Sequence, residues 1–549
     1  MADGMAGVLD FGSFDYIIAG GGTAGCVLAN RLSADPDVSV LLLEAGGKDS
    51  WIWLHIPAGY LFCIGNPRTD WCFKTEAEPG LNGRSIHYAR GKVLGGCSSI
   101  NGMIAMRGQA RDYDEWAALT GDSRWSWKEV LPVFKGSEDY WRGADEMHGS
   151  GGEWRVERQR LRWDLLDRFA EAAQQVGIPR NDDFNRGDNL GVGSFEVNQK
   201  GGIRWSAAKA FLRPALDRPN LKLAIDAAID RVEVADGRAT GIRFTVNGEP
   251  ARATSRIETV LAAGSIGSPA ILQRSGIGPA AHLKSLGIPV LLDAPDVGAN
   301  LQDHLQLRMI YKVDGIVTLN KRAGNLFGKA MMGLEYALFR KGPLTMAPSQ
   351  LGVFAKSSPE VGSADLEYHV QPLSLEKFGD PLHGFPAFTA SVCDLRPASR
   401  GWTRITTADH RANPAIAPCY LSDPADRAKA ARALALTRRI VSQPALAPYH
   451  PQEYKPGPSF QTEEELAQAA GDIGTTIFHP VGTCRMGGKD DATAVTDAEM
   501  RVRGVRGLRV IDASVMPTLT SGNTNTPTVM IAERGAALMR ADRRAALRG

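Results

Sequence analysis

Near its C-terminus the chain reads FHPVGTCRMG, from Phe478 to Gly487, which sets His479 five residues before Cys484. Four chemistries are open to such a pair: a metal site, a thiol nucleophile with its base, a buried structural histidine, or a lone general base. A metal site needs further ligands at regular spacing, and none stands nearby, so no metal is expected. A reactive thiol needs a cationic or helix-N-terminal setting, and nothing in the stretch supplies one. Histidine ionises near neutrality, which suits it to take a proton from a reacting group. The ten residues alone do not choose between the structural and the basic reading.

The elements that would position this chemistry begin at the other end of the chain. In FDYIIAGGGTAGCVLANRLSADPDVSVLLLEAGG, the apolar run Phe14 to Ala19 reads as a strand. Gly20, Gly22 and Gly25 then form G-x-G-x-x-G, CVLANRL has a helical pattern, and a second apolar run, Val38 to Leu43, ends in Glu44. Each part has a physical reason. Gly20 permits the tight turn, Gly22 lets the backbone approach a pyrophosphate, and Gly25 lets the helix pack closely on the strand. The helix N-terminus offers unpaired N–H groups to phosphates, and Glu44 can accept hydrogen bonds from a ribose diol. The unit predicts dinucleotide binding, with NAD and FAD both open.

Composition excludes other classes. The 549 residues are 43% hydrophobic and 23% charged, enough chain for two or more domains and a buried cofactor. A net charge of +2 gives no reason to expect nucleic acid, and the basic run RADRRAALRG reads as a solvated helix end. The opening MADGMAGVLDFGSF lacks the features of a secretory signal, and no apolar run reaches the ~18 residues of an integral membrane segment. Seven scattered cysteines (26, 63, 72, 97, 393, 419 and 484) with no C-x-x-C spacing argue against a disulfide framework. A cytoplasmic location is expected.

Further motifs narrow the choice of cofactor. They are ARGKVLGGCSSINGMIAMRGQARDYDEW (Ala89 to Trp116), VLAAGSIGSPAILQRSGIGP (Val260 to Pro279), DVGANLQDH (Asp296 to His304) and GLRVIDASVMPTLTSGNTNTPTVMIAERGA (Gly507 to Ala536). The second of these four strings reads strand, Ala-Ala-Gly, then helix. Gly264, Ser265, Ser268, Pro269, Ile271, Leu272, Ser275, Gly276 and Gly278 match each fixed position of G-S-x-x-S-P-x-h-h-x-x-S-G-x-G, where h is hydrophobic. Together, and with LRPASRGW (395–402) and YLSDPAD (420–426), these segments resemble the glucose–methanol–choline (GMC) family of flavin oxidoreductases, on its bacterial choline-dehydrogenase-like or alcohol dehydrogenase branch. The resemblance runs over nearly the whole chain.

It implies FAD rather than NAD, held by the glycine turn with Thr23 and Ala24, by Glu44 and Ala45, and by Trp71. It implies that GGCSSINGM, with Gly96, Ser98, Asn101 and Gly102, shapes the isoalloxazine site, and that Arg90, Gly91, Val93, Leu94 and Ile104 also contact the cofactor. Ile229, Ala263 and Gly264 would contact the nucleotide, while Asp512, Ala513, Asn523, Thr524 and Asn525 would close over the flavin. Ile100 stands where some members attach the flavin through histidine, so non-covalent FAD is expected. Cys97 is read as packing.

The resemblance also implies that His479 is the catalytic base and Asn523 its partner, since asparagine cannot titrate. His479 would take the hydroxyl proton of an alcohol, a primary one, while flavin N5 receives hydride; electrons would pass to a quinone or oxygen. The other nine histidines, including His304, are read as structural. Two alternatives on the same fold are a hydroxynitrile lyase and a light-driven decarboxylase. The fold implied is α/β plus α+β: a Rossmann-like, discontinuous FAD-binding domain (1–160, 205–312 and 475–549) and a substrate-binding domain (161–204 and 313–474) built on an antiparallel sheet flanked by helices. ADLEYHVQPLS and PAFTASVCDLRP read as its strands and Asp423 to Val441 as an amphipathic helix. The aromatic connector 48–75 either lines the substrate entrance, seals the FAD, or simply packs.

Overall fold

The computed structural model describes residues 7–377 and 379–548; the first six residues of the N-terminal stretch lie outside them. Two seven-stranded sheets organise the chain. The first has the order Leu221–Ala224, Val40–Leu43, Leu9–Ala19, Glu249–Leu261, Arg238–Val246, Ala227–Ala235, and Leu508–Val510 pairs with Glu249–Leu261. Its centre is parallel. Parallel strands are covered on both faces, which explains why Tyr16–Ala19 and Val40–Leu43 are continuous apolar runs and wholly buried.

The strand Leu9–Ala19 leads through Gly20 into the helix Thr23–Leu32, which packs beside the C-terminal helix Asn525–Ala546. Gly20 has φ +114°, a conformation costly for any residue with a Cβ. A Cβ on Gly25 would stand 1.8 Å from the carbonyl oxygen of Gly20, so helix and strand approach this closely only around glycine.

The second sheet is antiparallel, in the order Gln452–Lys455, Leu305–Lys312, Ala387–Asp394, Leu366–Gln371, Leu351–Ala355, Gly191–Ser194, with Gly474–Thr476 also on Leu305–Lys312. Leu305, Leu307, Met309 and Tyr311 join Leu366, Tyr368, Val370, Phe388, Ala390 and Val392 in one apolar core. Ala430, Leu434 and Ile440 of the helix Pro424–Val441, and Leu165 and Phe169 of Asp164–Gln175, complete it. The alternate residues Gln306, Arg308, Glu367, His369, Thr389, Ser391 and Cys393 are polar yet also buried. Gln306, His369 and Gln371 from this opposite face line the principal cavity.

One boundary differs from the sequence-based division. Leu305–Lys312 was assigned with the nucleotide-binding segments, but it pairs with Ala387–Asp394 in the second sheet. Its period-2 pattern, Leu-Gln-Leu-Arg-Met, is that of an antiparallel strand with two dissimilar faces. The chain therefore changes sheets within NLQDH, at His304. It returns after Gly474–Thr476, at His479, before reaching Leu508–Val510 in the first sheet.

Candidate active site

A long cavity runs from Ile229 and His410 past the glycine turn to His479 and Asn523. Its nucleotide end is built backbone against backbone. The N–H of Gly95 donates to Gly21 O at 2.8 Å, and a Cβ on Gly96 would come within 2.7 Å of Gly22 Cα. The glycines of GGGTAG and LGGCSS thus permit one another. Glu44 is buried, and its two oxygens accept from Gly21 N at 2.9 Å and Gly46 N at 2.8 Å. Burial pushes its carboxyl up to about 7, opposed by those two N–H groups.

Three helix starts line the cavity: Thr23, Gly264 and Asn525. Thr23 Oγ1 donates to Asn525 Oδ1 at 2.8 Å, joining the first and last helices across the chain. Asp512 accepts from Gly264 N (2.8 Å) and Ser268 Oγ (2.6 Å), tying the C-terminal motif to the Ala-Ala-Gly helix. A Cβ on Gly22 would meet nothing closer than 3.9 Å, so its glycine character leaves open room on the cavity side. Exposed helix N-termini, a glycine-lined wall and an acid near the second strand fit the pyrophosphate and ribose of a dinucleotide.

The end that carries His479 is held by segments adjoining both sheets. Asp303, buried, accepts from the backbone N–H of His479 at 2.7 Å and from Thr476 Oγ1 at 2.6 Å. The carbonyl of Pro480 accepts from Ser265 Oγ at 2.6 Å. Phe478, between them, has φ +68°, a strained value for a bulky residue that turns the chain so that the next side chain faces the cavity. His479 is 8% exposed.

Hydrogen bonds on both sides of the ring determine its tautomer. His304 Nε2 lies 3.2 Å from the carbonyl oxygen of Leu395, which can only accept, so Nε2 carries the proton. Neutral His304 therefore accepts at Nδ1, which faces His479 Nδ1 at 3.0 Å. His479 donates there and keeps a lone pair on Nε2, 3.1 Å from Asn523 Nδ2. Burial, reinforced by the neighbouring His304, His369 and Arg90, holds the His479 pKa well below the ordinary histidine range. His479 is neutral, and its Nε2 lone pair, which accepts from Asn523 Nδ2, lies at the cavity wall. Asn523 Oδ1, also buried, has no partner among the described residues.

Most of the residues anticipated for the cofactor line this cavity: Gly20, Gly22, Thr23, Ala24, Glu44, Ala45, Trp71, Arg90, Gly91, Gly96, Asn101, Gly102, Ile104, Ile229, Ala263, Gly264, Asp512, Ala513, Asn523, Thr524 and Asn525. Four lie behind the wall. Gly25 packs on Gly20, Val93 joins Leu54, Cys63 and Ile100, Leu94 belongs to the core beneath the glycine turn, and Ser98 accepts from Ala207 N at 2.9 Å. Cys484 is fully buried with its thiol pushed far up by burial, so it packs.

Two histidines read from sequence as structural come to the site. His304 Nδ1 faces His479 Nδ1, and His369 lines the cavity, its Nε2 3.3 Å from a Glu367 oxygen. Gln306 and Gln371 line it as well. The available signal was the alternation L-E-Y-H-V-Q and L-Q-L-R-M, of whose buried polar members His369, Gln371 and Gln306 line the cavity. In the connector 48–75, Tyr60, Ile64, Trp71 and Phe73 line the cavity, while Trp51 and Trp53 pack on Leu54, Val93 and Ile100.

Comparison with known proteins agrees with this geometry. Residues 14–306 and 397–532 match the two GMC oxidoreductase models. The chain is 39% identical over 530 residues to an alcohol dehydrogenase [acceptor] from Pseudomonas putida, covering 96% of this chain and 95% of that protein. It is 39% identical over 535 residues to the mitochondrial choline dehydrogenase of Homo sapiens, covering 96% and 90% respectively. Among solved structures, pyridoxine 4-oxidase from Mesorbium loti aligns with a TM-score of 0.87 at 32% identity over 95% of this chain and 98% of that one. Matched along most of its length, with the glycine turn and the His479 segment inside the matched regions, the chain belongs to the GMC oxidoreductase family.

Proposed function

We propose that this FAD-dependent oxidoreductase converts a primary alcohol to its aldehyde, with His479 as the base. The observation that carries the reading is the one-way hydrogen-bond chain Leu395–His304–His479–Asn523, which leaves the Nε2 lone pair of His479 as proton acceptor. An alcohol oxygen within reach of both His479 Nε2 and Asn523 Nδ2 would replace the hydrogen bond between them, donating its proton to the first and accepting from the second. Asn523 then holds the developing negative charge on oxygen, where a donor aimed in advance acts on the barrier. Bound FAD supplies the hydride acceptor.

The first sheet and its glycine segments would hold the nucleotide, and the polar face of the second sheet would hold the alcohol. Ile100, buried at the cavity wall, has no atom able to form a bond to the flavin, so FAD is held without a covalent link. Electrons leave to an external acceptor, a quinone or oxygen.

The test is anaerobic addition of a panel of alcohols to the FAD-loaded protein, followed by flavin absorbance. Bleaching by at least one alcohol, with the aldehyde formed in equal amount, is expected. A flavin that stays oxidised while a cyanohydrin is split into aldehyde and cyanide would replace this reading with a lyase.

A further inference from the structure

The helix Leu326–Phe339 turns an apolar stripe to the solvent. Phe327, Met331, Leu334 and Leu338, spaced four, three and four residues apart, are 76%, 48%, 51% and 64% exposed. Leu326 at 85% and Phe339 at 65% extend the stripe at both ends. Only Met332 and Tyr336 of this helix are buried. A helix normally turns such a stripe toward the core, so this one is built for an apolar partner.

Charge identifies the partner. Between positions 317 and 341 the chain carries Lys321, Arg322, Lys329, Arg340 and Lys341 but one acid, Glu335, which Arg322 engages at 2.8 Å. Lys321, Lys329, Arg340 and Lys341 are exposed around the stripe. A second copy of the chain would bring these like charges together on pairing. An anionic lipid surface would satisfy the cations and the apolar side chains at the same time.

A second segment extends the patch. The turn Pro57–Gly59 sits beside the turn Pro343–Thr345, which follows the helix. Around Pro57–Gly59 the aromatic connector exposes Ile52 and Phe62, at 58% and 50%. Both segments continue directly into the cavity wall, through Tyr60 and Ile64 on one side and Pro348 and Ser349 on the other. No helix among the described residues is long and apolar enough to cross a membrane, so contact would be confined to the surface.

We propose that Leu326–Phe339, with the adjoining face of the aromatic connector, docks the protein on an anionic lipid bilayer. The apolar stripe lies at the acyl-chain boundary, the lysines and arginines lie among the phosphates, and the docked face adjoins the cavity through which apolar molecules reach the site.

Sedimentation of the FAD-loaded protein with vesicles tests this. Vesicles of equal parts phosphatidylcholine and phosphatidylglycerol should carry the protein down, phosphatidylcholine alone much less, and high salt should weaken the binding. Replacing both Phe327→Ser and Leu338→Ser should lower partition about tenfold or more, as expected when two large apolar side chains leave the interface. Flavin content and dye-coupled alcohol oxidation should be unchanged, since neither residue touches the cavity. Replacing Lys329→Glu and Lys341→Glu should abolish the preference for anionic lipid. The proposal is overturned if the wild-type protein stays in the supernatant, or if the serine variant partitions equally. It is likewise overturned if the stripe proves to hold a dimer that the serine variant dissociates and that does not bind vesicles.

Discussion

The Nδ1 atoms of His304 and His479 face each other at 3.0 Å, and the Leu395 carbonyl behind His304 decides which of them holds the proton. In the proposed reaction His304 is a positioning residue: it fixes the ring and tautomer of His479 without lining the cavity. His304→Ala should retain FAD but slow anaerobic flavin reduction by roughly ten- to a hundredfold, as expected for an unoriented base. The pKa governing that reduction should rise, because a neighbour that disfavours the charged ring has gone. An unchanged rate and pH profile would sink the assignment.

The depressed His479 pKa has two consequences with definite sign. Flavin reduction should stay at its plateau as pH falls through about 6.5, the ordinary histidine value, and decline only at lower pH. Below about 6.5 the unfolded chain takes up a proton at this position and the folded chain does not, so the group lowers stability progressively as pH drops, and has no such effect above. Stopped-flow reduction and thermal unfolding across the acid range measure both.

Asn523 should matter to rate more than to folding. Its Nδ2 donates to His479 Nε2 and its buried Oδ1 has no partner among the described residues, so Asn523→Ala removes the proposed oxygen-holding donor at the loss of a single hydrogen bond. We expect flavin reduction to fall by roughly 10²–10³, the size seen when one preorganised donor is lost. The melting temperature should be nearly unmoved.

Two glycines of the first turn should separate cofactor binding from folding. Gly22→Ala puts a Cβ no closer than 3.9 Å to protein atoms, so the chain should fold normally and lose FAD through crowding of the phosphate site. Gly25→Ala drives a Cβ to within 1.8 Å of Gly20 O and should cost about 2–3 kcal/mol of stability, or more, by pushing the helix from the strand. Thermal unfolding and flavin-to-protein ratio, measured on both, distinguish the two effects.

With Ile100 at the cavity wall, acid precipitation should leave the yellow flavin in the supernatant and a colourless pellet. Flavin that stays with the denatured chain would show a covalent link from another side chain.

Much of this arrangement was legible before any coordinates. Gly20, Gly22, Gly25 and Glu44 lie in a strand–turn–helix–strand unit whose packing is local, so short-range pattern sufficed. Ala387–Asp394, Leu366–Gln371 and Pro424–Val441 were likewise visible as alternating or helical runs. His304 and His369 were not recognised, because a histidine read within its own segment gives no sign of what faces it. Gln306 and Gln371 were hidden for a related reason: alternation reveals a polar face but not whether water or a ligand cavity lies against it.

By itself the sequence determined the dinucleotide class of cofactor, and through ordered motifs it pointed to two sheets and to His479 rather than Cys484, since these expectations depend on short-range pattern. The tertiary structure decided which nitrogen of His479 bears the proton, because that rests on His304, 175 residues away, and on a carbonyl from a third segment. It also decided that Leu305–Lys312 joins the second sheet and that one helix leaves its apolar stripe in solvent. Strand pairing and burial depend on contacts between segments distant along the chain, and periodicity within one segment carries no record of its partner.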